Sequence, residues 1–231
     1  MILQSCILGL TLGALGTIAG ARTIAPGNYV YEGGWGSLNI EKSGRFVIST
    51  FGGNGHICDL DGTHVGRSST MIDNKCVLTF RPIGSNLQLN TNGDQSCRQY
   101  CGARAGFEGL YIKPEPTCTS SAIANSRREF KNKYDQKKFG IAVQTLAPVL
   151  SQCTKVLNRF EENWIRNDLA LAQLRSGDKA ACLDTLKPLV EIAAMTDDDI
   201  RGIPEPTYAP NYLDIAKAVR TNLKLCKSAN K

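Results

Sequence analysis

The chain is 231 residues long and carries 27 Lys and Arg against 21 Asp and Glu, a formal net charge of +6. At that length two domains are the natural division. Beyond the N-terminal segment no apolar run approaches the length a bilayer crossing requires, which excludes a chain that spans a membrane by helices.

The opening residues, MILQSCILGLTLGALGTIAGARTIAPG, hold no charge before Arg22, and their apolar run ends in Ala19-Gly20-Ala21. This predicts a secretory leader over residues 1–21, cut after Ala21. No apolar segment precedes Cys6, so a lipid anchor is not expected there. Eight of the nine cysteines follow the leader, an even number that in an exported chain predicts disulfides. The sequence contains no Asn-x-Ser/Thr acceptor, which fits a bacterial periplasm or exterior better than a eukaryotic secretory route.

From Gly27 to about Tyr111 the apolar pattern has period two. Leu38 and Ile40 alternate with Asn39 and Glu41; Cys76, Leu78 and Phe80 alternate with Val77, Thr79 and Arg81; Leu87 and Leu89 continue the series. Turn clusters such as Lys42-Ser43-Gly44 and Gly52-Gly53-Asn54-Gly55 separate the runs. Seven or eight short strands of this kind predict a small antiparallel barrel or sandwich over residues 22–118.

After KPEPTC (Lys113–Cys118) the spacing becomes helical, and residues 119–231 form the second expected domain, giving an α+β chain overall. Asn158 and Glu161 have the spacing of a capping box that opens a helix, and Gly177 is placed to close it. Residues 22–118 carry nine Lys/Arg against eight Asp/Glu, residues 119–231 eighteen against thirteen. Phe139–Leu150 lies over Lys179–Val190 at an offset of forty residues, with Thr145, Leu146 and Pro148 matching Thr185, Leu186 and Pro188, and Tyr134 matching Leu174. Each unit reads as a helix pair. The spacing of Tyr134, Phe139, Ala142 and Leu146, and of Ala170, Leu174, Gly177-Asp178 and Leu186, resembles degenerate tetratricopeptide repeats over about 75 residues, and that resemblance implies a helical hairpin-repeat domain.

Cys58, Cys76, Cys97, Cys101 and Cys118 precede or border the linker, whereas Cys153, Cys182 and Cys226 follow it. Antiparallel helix packing brings Cys118 to Cys153 and Cys182 to Cys226. Cys58 and Cys76 are expected to face inward on neighbouring strands and pair, which leaves Cys97 with Cys101 as a stapled corner.

The sequence contains no Gly-x-Ser-x-Gly, no His-Glu-x-x-His and no phosphate-binding Gly-x-x-x-x-Gly-Lys. His56, Asp59, Asp61 and His64 invite a metal reading, but His56, Cys58 and Leu60 are expected on one strand face and the aspartates on the other. No cofactor or metal is expected. The basic stretch SRREFKNKYDQKK reads as a solvated helix face with a Glu129–Lys133 pair, and MTDDDIRG (Met195–Gly202) as a solvated acidic bend.

The stretch CRQYCGARAGFEGLY (Cys97–Tyr111) is the candidate binding loop, with Tyr100, Arg104 and Phe107 as its contact residues. Its Gly102-Ala103-Arg104 resembles the middle of a loop motif in bacterial periplasmic inhibitors of animal-type lysozyme, which are disulfide-containing barrels that insert that loop into the enzyme cleft. The structural alternative is a bent final strand, with Phe107 and Tyr111 plugging the barrel and Arg104 paired with Glu108. The expected activity is an exported protein-binding or inhibitory factor facing another protein of the cell envelope, with an envelope scaffold or a cell-wall enzyme as alternatives; nucleic acid is not an expected partner.

Overall fold

The computed structural model describes residues 24–52, 55–66, 68–71, 76–203 and 208–228; the expected leader and its cleavage point lie outside them. Eight antiparallel strands, β1 (Gly27–Tyr31), β2 (Gly36–Ile40), β3 (Arg45–Phe51), β4 (Ile57–Val65), β5 (Ser68–Met71), β6 (Thr79–Ile83), β7 (Asn86–Asn90) and β8 (Gly109–Ile112), follow one another around a closed barrel. Closure comes from β8 returning to β1, with Val30 opposite Ile112 and Tyr31 opposite Tyr111. A meander needs no crossover, and closure removes the open edges that would invite aggregation. Of the two expected β architectures, the barrel is the one that forms.

Register converts the alternation into a core. Leu38, Ile48 and Leu60 stand opposite one another across β2, β3 and β4, all buried, while their neighbours Asn39, Val47 and Asp61 face outward. Phe46 and Phe80 meet edge to face inside, with centroids 5.2 Å apart. The buried tyrosines keep their hydroxyls satisfied: Tyr29 donates to the Ala25 carbonyl at 2.7 Å and Tyr111 to the Phe107 carbonyl at 2.8 Å.

The C-terminal part is helical: α1 (Ser120–Asp135), α2 (Phe139–Gln152), α3 (Arg159–Arg175), α4 (Lys179–Leu186), α5 (Val190–Ala194), α6 (Asp197–Arg201) and α7 (Ala209–Ser228). The expected capping box opens α3, with the Asn158 side chain accepting from the Phe160 and Glu161 amides and Glu161 reaching back to Asn158. Gly177 follows the helix end at φ +94, the left-handed conformation that a side chain disfavours. The two matched prolines fall in unlike places. Pro148 sits inside α2, whereas α4 stops at Leu186 and the chain passes through a 3-10 turn at Lys187–Leu189. The acidic bend expected at Met195–Gly202 is instead the helix α6, because Thr196 and Asp199 form a second capping box. The three aspartates occupy its first turn, where the helix dipole favours them.

Barrel and helices share a buried junction. Val30, Leu110 and Ile112, on β1 and β8, pack with Ile123, Phe130, Val149 and Leu157 of the helical side. The β1–β2 turn docks beside them: the Gly33 amide donates to the Lys155 carbonyl at 2.9 Å. Trp35 stacks on Tyr208 at 5.2 Å, and Phe160 meets it edge on at 5.6 Å. Gly34 lies at φ +74 so close to α3 that a Cβ would overlap the Asn158 nitrogen and the Leu157 carbonyl carbon.

Four disulfides are present: Cys58–Cys101, Cys76–Cys97, Cys118–Cys153 and Cys182–Cys226. The two helical bridges are those expected, but Cys58–Cys76 and Cys97–Cys101 are not formed. Cys97 lies in a 3-10 turn, Gln95–Tyr100, and Cys101 immediately follows it. With three residues per turn, positions four apart point about 120° away from each other, so each finds its own partner. Cys101 also pairs with Cys58 as an isolated antiparallel bridge. The bridges close loops with separations of 21 to 44 residues, each supplying about 3–4 kcal/mol in the chain-entropy description.

Tryptic digestion without reduction tests this connectivity, because cleavage after Arg98 separates Cys97 from Cys101. A peptide holding Cys58 joined to one holding Cys101 is expected, with Cys76–Cys97 as a bridge inside the single peptide 76–98, since Arg81 precedes Pro82 and resists cleavage; a Cys97–Cys101 link would contradict the structure. For the junction, Gly34→Ala is expected to cost about 2–4 kcal/mol, from left-handed strain plus overpacking, read as a lower urea midpoint followed by Trp fluorescence. An unchanged midpoint would show that the turn does not dock this tightly.

Candidate functional site

The expected binding loop crosses one end of the barrel. Asp94 starts its 3-10 turn by accepting from the Ser96 amide at 2.9 Å. Its carboxyl is thereby held below the usual carboxylate range, first by the Ser96 side-chain hydroxyl and then by that amide. Cys97 is buried, and the Gly102 amide donates to the Ile57 carbonyl at 3.0 Å, so the loop lies along the start of β4, which β5 does not reach. A Cβ at Gly102 would overlap the His56 imidazole, and one at Gly52 would overlap the Arg104 carbonyl oxygen.

The three expected contact residues separate. Phe107, 3% exposed, plugs the barrel together with the fully buried Tyr111. Tyr100 is half-buried against the same core. Arg104 is exposed and makes no hydrogen bond or ion pair with another described residue. The expected Arg104–Glu108 pair is not formed because Glu108 is engaged elsewhere: its Oε1 accepts from the Thr91 amide at 2.5 Å and the Thr91 hydroxyl at 2.8 Å. A cavity of about 420 Å³ opens beside the loop, lined by Asp94, Arg98, Cys101, Phe107 and Glu108 among others. His56 precedes β4 and is exposed, Asp59 faces outward and Asp61 lies 3.7 Å from Arg45. Among the described residues no three metal-ligating side chains come together.

A larger groove, about 680 Å³, runs between α1 and α3, the leading helices of the two hairpins. Ala124, Phe130, Tyr134 and Leu171 form its apolar surface. Tyr134 is braced by Phe130 at 5.8 Å and Phe139 at 5.2 Å, so the aromatic wall is fixed from behind. Arg127, Arg128, Lys131 and Asp135 border it on the α1 side. The surface pair on α1 is Lys131–Asp135 at 2.6 Å rather than the expected Glu129–Lys133 pair, which does not occur. Arg128 donates to the Asn125 side-chain oxygen at 2.5 Å.

On the α3 side lies Asp168, half-buried, with no hydrogen bond or ion pair to any described residue. Burial pushes its carboxyl above the usual carboxylate range, partly offset by the Arg127 charge nearby. Asp168 is not among the expected site residues, although a signal for it is there. It stands three residues after Ile165 and four before Ala172, both buried, so an acid occupies apolar-face spacing.

Family models, curated proteins and solved structures give no match to the chain. No helix among the described residues is long and apolar enough to cross a membrane. The four disulfides belong to an oxidising environment.

Asp168 sets a pH dependence with a definite sign. Its native pKa lies above its unfolded value, so the native state holds the proton more tightly and stability falls as pH rises through the window between the two. Asp168→Asn is expected to melt higher than the parent at about pH 7, with the gain shrinking below about pH 4, where the parent is already protonated. Thermal scans of both chains across that range check it; a variant less stable at neutral pH would mean that Asp168 has a stabilising partner.

Proposed function

We propose that the protein is an exported protein-binding factor of the periplasm or cell exterior that holds a segment of another protein between α1 and α3. The observation that carries this reading is the groove, whose volume of about 680 Å³ falls in the range of built ligand sites and whose lining mixes braced aromatic rings with charges of both signs. In this reading α1–α2 and α3–α4 are degenerate tetratricopeptide-like units, and the barrel is the rigid base on which they stand. On that reading the protein binds rather than catalyses, with the groove supplying apolar, aromatic and charged recognition groups.

A second reading is favoured by Arg104, exposed on a loop held by two disulfides. Such a preorganised arginine suits an inhibitory hook against a cell-wall hydrolase, since little ordering entropy is lost on docking.

Immobilised mature chain, exposed to envelope extract with mass spectrometry of the bound fraction and cross-link mapping, separates the two. Ala124→Trp fills the groove from an exposed position on α1 and is expected to lower recovery of the partner at least about tenfold at unchanged melting temperature, with cross-links mapping to α1 and α3. Arg104→Ala is expected to leave recovery unchanged. The reverse result would move the function to the loop.

A further inference from the structure

We infer that the partner segment in the α1–α3 groove lays a lysine or arginine side chain on the Asp168 carboxylate. This rests on the groove being the binding surface and adds what it selects. The borders of the groove differ in how their charges are met. On α1, Lys131 is paired with Asp135 and Arg128 with Asn125. Asp168 on α3 has no donor among the described residues. Arg127 lies near enough to be felt but makes no ion pair with it.

Length decides which charge is left wanting. A guanidinium on a long stem swings its head into water, whereas a carboxylate one methylene from the backbone stays where α3 puts it. A desolvated carboxylate without donors is costly, and an incoming ammonium or guanidinium supplies the charge-assisted hydrogen bonds it lacks. The remaining surface fits the same side chain. Leu171 and Ala124 offer apolar cover for its methylene stem, and the Phe130 and Tyr134 side chains line the same groove. Burial raises the affinity of the Asp168 carboxyl for its proton, and a cation brought beside it would oppose that shift, as Arg127 already does in part.

The test uses the mature chain and three N-acetylated, fluorescein-labelled peptides, Ser-Ala-Leu-X-Leu-Ala-Ser, with arginine, norleucine or glutamate at X, read by anisotropy. Arginine is expected to bind at least about tenfold more tightly than norleucine. Asp168→Asn should bring the arginine peptide down to the norleucine level while leaving the norleucine peptide unchanged. A preference for glutamate, an arginine preference that survives Asp168→Asn, or no binding of any peptide below about 1 mM overturns the inference. Ala124→Trp distinguishes the two levels of failure. If it abolishes binding that Asp168→Asn leaves untouched, the groove stands and the basic anchor falls; if the arginine peptide binds Ala124→Trp as well as the parent, the groove itself is not the site.

Discussion

The close approach of the β1–β2 turn to the start of α3 is the contact on which the two halves of the molecule depend. Gly34 can occupy that place because it lacks a Cβ and sits in the left-handed region, with Asn158 and Leu157 directly against it. The same few residues serve three purposes. Asn158 caps α3, its neighbour Arg159 lies over the Trp35 ring at 5.9 Å, and Phe160 packs edge-on against Trp35 and Tyr208. A local helix start thus doubles as an interdomain lock. Because α3 carries Asp168, the lock fixes one wall of the groove relative to the barrel. The other wall, α1, follows β8 after a short linker and is tied to α2 through Cys118–Cys153.

The regular elements are legible in the sequence because their causes are local. Alternation at Leu38–Ile40 and Leu87–Leu89 reports a half-buried strand whichever neighbour it acquires, and Asn158 with Glu161 marks a helix start by its own hydrogen bonds. The helical disulfides are legible for a related reason, since antiparallel packing of consecutive helices places their ends together. The barrel disulfides are not. Whether Cys97 meets Cys101 or Cys76 depends on a 3-10 turn whose only local sign is Asp94 capping Ser96, and on which strand end lies beneath it. Likewise Arg104 and Glu108 are four residues apart, a spacing that pairs side chains only on a helix. Here Arg104 lies in a turn closed by the Ala105 amide on the Gly102 carbonyl, irregular chain follows, and Glu108 turns to Thr91.

The groove is harder still to read, because it lies between helices separated by a third. Periodicity assigns Ile165, Leu169 and Ala172 to a buried face, and Asp168 falls within the same spacing, yet nothing local tells whether an acid there meets a partner or a gap. The basic run on α1 has the opposite problem. It suggests a uniform positive face, but Lys131 is paired with Asp135, while Arg128 keeps its charge and donates to the neutral Asn125 side chain. Net charge by segment is therefore a poor guide to what this surface presents; the satisfaction of each charge is a better one.

Asp168 differs from most of the buried polar groups among the described residues. Buried Tyr29 and Tyr111 find carbonyl acceptors, Asn222 donates to the Asn167 side-chain oxygen at 3.0 Å, and Arg220 on α7 reaches the Ala193 and Met195 carbonyls as well as Asp197. His64 Nδ1 is likewise buried without a partner, but Asp168 is a half-buried carboxylate that opens on a groove lined by aromatic side chains. Replacing it with an apolar residue would complete the α3 face and stabilise the helix pair. Its presence costs stability in the free protein, and such a cost is recovered where a ligand supplies the missing donor. The physical case for function in this chain therefore rests less on the stapled loop that the sequence brings forward than on an acid in an apolar register.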